Sequence, residues 1–370
     1  MKHFLIVLFS FISCSGNTEN THPENLEKKT IDPIDNSRDK HPEHVEQKPK
    51  IVTPAQNPPE KKIIKKSKPE LKEDVSIVGK APVKRLSMTF NSAVSSLSID
   101  KNCSAIVAGG TSMDLYFHSI SDKKSRNWIL DNVKNGCHRE KCKKPVHAAF
   151  FPDGNTILVA LNGDTIRVVD RRKRVLGFRG GYLQESRGLA FGPKAKSFAV
   201  LYNRGLYIFR LPSGLICKQS SYTASRIFSF GNTLFASTTD KLDILDFKLK
   251  NKGSINIKSV HSVVKSGENY IVSNSEYFYL LNGDYKLIKT VNIPQKFKII
   301  NVFSNTPSIL TLVNKNNTYY IGHLSSDLKL SGVREITGFS GEIKTTTFSS
   351  SCLAFSDGKS VYMWKYETEN

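Results

Sequence analysis

Two cysteines in the polar stretch NGCHREKCKKP are the residues of this chain whose spacing most directly suggests chemistry. In an oxidising compartment, Cys137 and Cys142 would form a local disulfide that closes a small loop. A zinc site that adds His138 is the alternative. Adjacent ligands with one further cysteine and no second pair do not match a zinc knuckle. We therefore expect a disulfide between Cys137 and Cys142 and no metal site.

A second candidate for chemistry is a cluster of basic residues. Positions 123–180 contain 14 Lys and Arg against 5 Asp and Glu. The densest run consists of Arg171, Arg172, Lys173 and Arg174. Such a run attracts anionic surfaces such as acidic lipids or envelope polymers. A solvated basic turn that aids solubility is the alternative. Our hypothesis is that this run contacts an anionic surface. We expect no nucleic-acid partner.

Motifs for catalysis do not occur in the sequence. It contains no G-x-S-x-G elbow, H-E-x-x-H pair, P-loop or dinucleotide fingerprint. The histidines are scattered without ligand spacing, and tryptophan occurs only as Trp128 and Trp364, which does not fit a quinone-binding propeller. We therefore expect no enzyme activity and no cofactor.

The N-terminus carries a targeting signal. Lys2 and His3 precede the apolar run FLIVLFSFI, which is too short to span a bilayer as a mature helix and is typical of a secretory signal peptide over residues 1–16. The following Phe-Ile-Ser-Cys resembles the lipobox of bacterial lipoproteins, in which Cys14 would be lipidated, although Phe11 stands where Leu is usual. Cleavage after Gly16 without lipidation is the alternative. We expect an exported protein, held at the periplasmic membrane or cell surface by a lipid anchor, or otherwise secreted.

Residues 17–82 differ from the rest of the chain in composition. They are rich in Pro, Lys, Glu and Asn and contain almost no aromatic residues. Such a segment cannot bury enough apolar surface to offset the entropy of ordering, so it is predicted to be a disordered tether. Of the net charge of +21, 40 Lys and Arg against 21 Asp and Glu fall within 83–370, a net +19. The basicity therefore belongs to the predicted folded domain.

Residues 83–370 contain short apolar strands that recur about every forty residues, a period typical of propeller blades. The units begin near Val94, Val146, Arg187, Ile227, Val260, Ile299 and Ile343. One such unit cannot bury both of its faces, so the pattern predicts an all-β, seven-bladed propeller. The seventh unit has only three strands. Pairing residues 83–90 with 360–366 would supply the fourth, close the ring and remove free sheet edges.

The remaining cysteines fall on predicted strands. Cys103, Cys217 and Cys352 are most simply small buried hydrophobic residues. Cys103 and Cys352 occupy equivalent strands of neighbouring blades, so that a bridge between them is conceivable.

The second unit, VHAAFFPDGNTILVALNGDTIRVVD, resembles the WD-repeat propeller family. Asp153 and Gly154 stand at the first turn, and Asp164 matches the aspartate that braces a hydrogen-bond network in that family. Other blades lack the Trp-Asp and Gly-His pairs at the family spacing, so the resemblance implies a degenerate member without the network in most blades.

These observations predict a non-catalytic, lipid-anchored or secreted propeller that serves as a rigid scaffold for protein partners of unknown identity, with a monomeric domain. A degenerate periplasmic enzyme or ligand sensor that uses the central channel is an alternative. A eukaryotic secretory WD-repeat protein is another. A channel lined by polar groups with perturbed acids would favour an enzyme, and an apolar channel would favour the scaffold.

Overall fold

The structure is a computed structural model that describes residues 75–88, 90–112, 114–129, 146–160, 166–171, 186–203, 205–211, 216–294, 296–305, 308–349 and 351–366. These residues fall in one compact unit, Leu71–Asn370. The unit contains the buried apolar clusters of the described chain, so we expect it to fold on its own.

The described elements are almost entirely β-strands, joined by tight turns and a single 3-10 turn at Pro193–Ala195. Within this described part, no helix is long and apolar enough to cross a membrane.

Each blade is built on an antiparallel run of three or four described strands that follow one another in sequence, and blades 6 and 7 each gain a further strand from the N-terminal part of the domain. Blades 1 and 2 comprise β3 (Val94–Ile99), β4 (Ala105–Gly110), β5 (Asp114–Ser119) and β6 (Lys124–Ile129), then β7 (His147–Phe150), β8 (Thr156–Ala160) and β9 (Ile166–Asp170). Blades 3 and 4 comprise β10 (Ser186–Phe191), β11 (Ser197–Tyr202), β12 (Gly205–Arg210) and β13 (Ile216–Ser220), then β14 (Arg226–Phe230), β15 (Thr233–Ser237), β16 (Leu242–Asp246) and β17 (Asn251–Ile255).

Blade 5 comprises β18 (Ser262–Ser266), β19 (Asn269–Ser273), β20 (Tyr277–Leu281) and β21 (Leu287–Asn292). Blades 6 and 7 comprise β22 (Lys298–Asn305), β23 (Ser308–Lys315), β24 (Thr318–Leu324) and β25 (Leu330–Thr337), then β26 (Thr345–Ser349), β27 (Cys352–Ser356) and β28 (Val361–Lys365). The seven blades confirm the predicted fold, and each first strand begins within about two residues of its predicted position.

The second strand of each blade explains why the repeat forces a ring. Strands such as β4, β15 and β27 are buried along their whole length, because the neighbouring blades cover both faces of the sheet. Apolar clusters lie between adjacent blades, and one of them joins blade 7 to blade 1 through side chains that include Ile106, Ala354 and Met363. A blade without neighbours would expose these surfaces to water.

The N-terminal part of the domain closes the ring, as predicted. In β2 (Lys84–Arg85), Lys84 pairs with Met363 and Arg85 with Tyr362, and the Leu86 N–H donates to the Val361 carbonyl at 2.9 Å. Leu86 and Met88 are buried in the cluster between blades 7 and 1.

The boundary predicted at residue 82 is corrected by a further strand. β1 (Ile77–Pro82) pairs in parallel with β25 as the fifth strand of blade 6, with Ala81 opposite Ile336. Ala81 is buried and Val75 packs against the core between blades 5 and 6. The composition of residues 77–82 did not indicate a strand. Most of its side chains are exposed, and it is stabilised mainly by backbone pairing with β25.

Candidate binding site in the central channel

The first strands of the blades line the centre of the ring, and adjacent first strands contact one another around it, including β22 with β26 and β26 with β3. We call the face that carries the turns between first and second strands the turn face. The opposite face, which carries the connections between blades, is the loop face.

A recess of about 1220 Å³ opens at the centre of the turn face. The ends of β7, β10 and β14 and the turns that follow them supply most of its wall. The aromatic and proline residues of this wall are Phe150, Phe151, Pro152, Phe191, Pro193, Phe228 and Phe230. Phe151 and Phe191 are in contact, with ring centroids 4.7 Å apart. The recess therefore offers a wide, largely apolar surface.

The hydroxyl groups of the described wall are already engaged, those of Ser98 and Ser229 between blades and that of Thr156 within the turn of Asp153. Ser229 Oγ donates to the Phe191 carbonyl at 2.8 Å, and Ser98 Oγ accepts from the Phe150 N–H at 3.1 Å. These bonds hold neighbouring first strands in register, so they serve the wall rather than a reaction.

The carboxylate at the edge of the recess belongs to a turn. Asp153 Oδ1 accepts from the N–H groups of Asn155 and Thr156, and Oδ2 accepts from Thr156 Oγ1 at 2.8 Å. Burial alone would raise the pKa of Asp153, but these hydrogen bonds and the charge of Lys101 outweigh burial and lower it. Gly154 follows with φ of 72°, which favours glycine. An ionised, hydrogen-bonded carboxylate is poorly suited to donate a proton.

Exposed lysines lie in turns of blades 3 and 4, and one of them, Lys194, lines the recess. Lys194 and Lys196 lie in the first turn of blade 3, and Lys248 and Lys250 follow β16 in blade 4. They give this part of the turn face a positive charge beside an apolar surface.

Towards the loop face, charged and polar residues lie at the starts of the first strands. Arg226 begins β14, and its Nη1 donates to the His261 carbonyl at 2.9 Å. Arg226 is exposed to solvent, and nearby protein atoms lower the pKa of its guanidinium by desolvation. Burial also lowers the pKa of His261, and the charge of Arg226 lowers it further, against a contact at 3.4 Å with the Ile299 carbonyl. The imidazole is therefore held largely neutral beside the guanidinium at neutral pH.

Arg187 lies at the same level on the neighbouring first strand. A Cβ built on Gly188 would lie 3.4 Å from Ile227 Cγ1, so residues 188 and 227 are adjacent, and so are the arginines that precede them. Within the described part of the chain, Arg187 forms no hydrogen bond or ion pair.

Arg171 forms an ion pair inside the domain, although its basic run suggested a contact with an anionic surface. Its Nη2 lies 2.6 Å from Asp100 Oδ2 and 2.6 Å from the Gly154 carbonyl, and its Nη1 donates to Ser104 Oγ at 3.1 Å. Asp100 is fully buried, and the guanidinium also lies 5.7 Å from the Phe150 ring centroid. This corrects the expectation for Arg171, because its charge is already neutralised by a carboxylate of blade 1.

The other predicted site residues fall on segments that the structure leaves undescribed. They are Cys14, Cys137, Cys142, Asp164, Arg172, Lys173 and Arg174.

The disulfide in the structure joins Cys103 to Cys352, with their Cα atoms 6.0 Å apart. Both residues are buried between blades 1 and 7. Sequence analysis noted this pair but favoured two independent hydrophobic residues, because equivalent strands in neighbouring blades do not by themselves show that the two sulfur atoms lie within bonding distance.

No cluster of three or more potential metal ligands occurs among the described residues. The candidate feature that sequence analysis missed is the recess. Its signal was the aromatic residues at the ends of the first strands, such as Phe150, Phe191 and Phe230, which meet only when the blades are closed into a ring.

Comparison with known proteins supports the architecture. No protein-family model matches the chain, and no curated protein matches it. Among solved structures, it is similar to the crystal structure of the WD40 repeats of RRP9, with a TM-score of 0.60 and 13% identity over 80% of this chain and 100% of that one. At this identity the similarity shows the fold alone, which is a seven-bladed β-propeller.

Proposed function

We propose that this protein is a non-catalytic, exported propeller scaffold that binds a partner protein through its turn face. The observation that carries the proposal is the open aromatic recess at the centre of that face. Apolar, well-packed surfaces edged by charge are typical of protein-binding sites, and aromatic anchors dominate their affinity. A rigid ring presents such a surface without rearrangement.

The chemistry of the wall supports binding over catalysis. The described carboxylate at its edge, Asp153, has a lowered pKa and is committed to a turn. Of its described hydroxyls, those of Ser98 and Ser229 hold neighbouring blades together, and that of Thr156 donates to Asp153. A catalytic pair would need a group with a pKa near the working pH and free access to a substrate.

Export and anchoring form the second part of the proposal. The disulfide between Cys103 and Cys352 supports export, because disulfides persist in oxidising compartments. We propose lipidation at Cys14 and a second disulfide between Cys137 and Cys142. Intact-mass measurement of the mature protein from its native host tests both. An acylated Cys14 is expected, whereas an N-terminus at Asn17 would contradict the anchor.

The experiment for partner binding uses the unit 71–370 as bait against the envelope fraction of the native host. Phe230→Ser alters the edge of the recess, and Leu287→Ser removes an exposed apolar side chain from β21, outside the recess. A discrete partner retained by the natural sequence and by Leu287→Ser, but lost with Phe230→Ser, is the expected result. Equal retention by all three would contradict the proposal.

Affinity for anionic surfaces is a further part of the proposal. The lysines around the recess support it, and Arg172, Lys173 and Arg174 continue the basic run beyond the engaged Arg171. We expect binding to vesicles that contain acidic lipids to weaken as salt rises.

The vesicle test neutralises the three residues that follow Arg171, as Arg172→Gln, Lys173→Gln and Arg174→Gln. The control removes the same charge elsewhere, as Lys80→Gln, Lys252→Gln and Lys289→Gln on outer strands. Equal binding by both triple variants would contradict a turn-face contact for this run.

A second candidate function is ligand sensing in the central channel. The specific observation in its favour is the polar end of the channel, where the exposed Arg226 donates to the His261 carbonyl and forms no ion pair with the described carboxylates.

A further inference from the structure

Several aromatic rings in the wall of the recess are only partly covered by the rest of the domain. Phe191, Phe228 and Phe230 lie on β10 and β14 and are half-buried, whereas Phe150 and Phe151 in the same wall are buried. A large apolar side chain from a partner would remove the half-buried rings from water, and such anchors supply most of the affinity at protein interfaces. The wall therefore favours an aromatic or large aliphatic anchor.

Two exposed lysines stand at the mouth of the recess. Lys194 lines it directly, and so does Val263 on β18. Lys265 follows Val263 by two residues, so its side chain lies on the same side of the strand. Lys265 also pairs with Tyr270, whose ring centroid is 6.0 Å from that of Phe230 in the recess wall. Within the described part of the chain, neither lysine forms an ion pair.

The carboxylates near the mouth do not cancel this positive charge. The first turns of blades 2 to 5 contain Asp153 and Glu268 as their carboxylates. Both oxygens of Asp153 accept hydrogen bonds within its own turn, and the nearby charge of Lys101 helps to lower its pKa. Glu268 stands against the two lysines of the mouth and Lys196. The described mouth therefore has a net positive charge, which complements carboxylates on a partner.

The turn that carries Lys194 has an unusual backbone. Lys194 and Ala195 both have positive φ, of 52° and 51°, and the Lys196 N–H donates to the Pro193 carbonyl at 3.1 Å. Tight turns with this geometry favour Asn and Gly, because a longer side chain is disfavoured at positive φ. Strain of this kind is concentrated at binding sites, where the surrounding structure maintains it. Here it fixes the residue that places a positive charge at the mouth.

We propose that the recess binds an extended acidic segment of a partner protein, in which Asp or Glu residues flank one aromatic or large aliphatic residue. The apolar side chain enters the recess against Phe191 and Phe230, and the flanking carboxylates lie beside Lys194 and Lys265. This inference rests on the proposed scaffold function and names the chemistry of the partner. Binding is reversible and involves no covalent step.

The test begins with a random ten-residue peptide library displayed on phage. The unit 71–370 is the bait, and its Phe230→Ser variant, checked for folding by circular dichroism, removes peptides that bind elsewhere. We expect the selected peptides to carry Asp or Glu on both sides of an aromatic or large aliphatic residue. The best peptide is then labelled with a fluorophore for affinity measurements. Alanine at its anchor position should weaken binding at least about tenfold.

Substitutions of the two lysines test the charge. Lys194→Gln and Lys265→Gln should each weaken binding of the selected peptide about threefold at low salt, and the difference should disappear near about 0.5 M salt. Lys194→Glu combined with Lys265→Glu should prefer a version of the peptide with Lys at every acidic position. Lys258→Gln, in the connection between blades 4 and 5 on the loop face, is the matched control and should change neither affinity.

Selection of peptides without acidic flanks would overturn the inference, and so would a failure to select any peptide. An unchanged preference in the charge-reversed variant would also overturn it, as would equal binding by the peptide that lacks its anchor. The scaffold proposal fails separately, because it depends on capture of an envelope partner that Phe230→Ser abolishes. A partner lost with Phe230→Ser but retained by the charge-reversed variant would leave the scaffold standing and contradict the acidic segment.

Discussion

At the scale of single residues, Arg171 shows how a side chain from a basic run can stabilise the fold. Its guanidinium links the buried Asp100 of blade 1 to the Gly154 carbonyl of blade 2. Burial alone would raise the pKa of Asp100, but hydrogen bonds from Ser104, Ala105 and Arg171 outweigh it and lower the pKa. The interaction stabilises the interface between blades 1 and 2.

Arg171→Met should therefore destabilise the domain. The substitution leaves the Asp100 carboxylate buried without its partner, which we expect to lower the free energy of unfolding by about 2 kcal/mol. The loss stays below that of a fully buried pair, because the Arg171 side chain is 31% exposed. Urea unfolding at pH 7 measures the change. Arg126→Met on the exposed β6 is the control, and an equal loss in both variants would contradict the role of Arg171.

The lowered pKa of Asp100 also predicts how stability depends on pH. In the unfolded chain the carboxyl titrates near its usual value of 3.8, and in the folded chain it titrates lower. The stabilisation is therefore fully present above the unfolded value and is lost as the pH falls through the folded value. Asp100→Asn should be less stable than the natural sequence at pH 7, and the difference in urea midpoint should narrow below about pH 4.

A suitable control is Asp284→Asn, which alters an exposed carboxylate in a turn of blade 5. Its urea midpoint at pH 7 should match that of the natural sequence. A difference for Asp100→Asn that stays constant from pH 7 to pH 3 would contradict the assignment.

At the scale of elements, β1 and β2 are consecutive strands that pair with two neighbouring blades and so connect them. β1 extends blade 6 and β2 completes blade 7, with Val83 N–H bonded to the Thr337 carbonyl between them. Their contributions differ. β1 exposes most of its side chains, whereas the chain after β2 places Leu86 and Met88 in a buried cluster.

Truncation separates the two contributions. A chain that begins at residue 83 should fold, with a thermal midpoint lower by a few degrees, because it loses about 1 kcal/mol or more of pairing and packing. A chain that begins at residue 91 should not fold, because blade 7 loses its fourth strand and the cluster between blades 7 and 1 loses two side chains. Circular dichroism during heating distinguishes them. Cooperative unfolding of the shorter chain would contradict the closing role of β2.

At the scale of the whole molecule, the ring closes at one interface in two ways. β2 joins the N-terminal part of the domain to blade 7, and the Cys103 to Cys352 disulfide joins blade 1 to blade 7 across 249 residues of sequence. Blades 1 and 7 also share a continuous apolar cluster. The disulfide restricts the unfolded chain at the point where ring closure is most costly in entropy.

Reduction of this disulfide should lower the free energy of unfolding by about 2–4 kcal/mol. The measurement is urea unfolding with and without dithiothreitol. Cys103→Ala with Cys352→Ala should reproduce the loss and remove most of the effect of the reductant. Cys137→Ala with Cys142→Ala is the comparison and should cost less, because a short loop restricts the unfolded chain less. A larger effect in the second pair would contradict the closing role of the first.

The sequence by itself determined the all-β class, the number of blades and the need for an N-terminal strand to complete the last one. These features follow from local information. Short apolar strands such as β4 and β15 recur about every forty residues between turns such as the one at Gly154, and a repeating unit with two apolar faces requires neighbours.

Only the tertiary structure decided which distant residues meet. It placed Cys103 beside Cys352, gave Arg171 a buried partner in Asp100, added β1 to blade 6, and brought Phe151 and Phe191 into contact in the wall of a recess. The physical reason is that these contacts join different blades. Each blade fixes its own register by local pairing, whereas contacts between blades depend on the closed ring, which no stretch of sequence encodes alone.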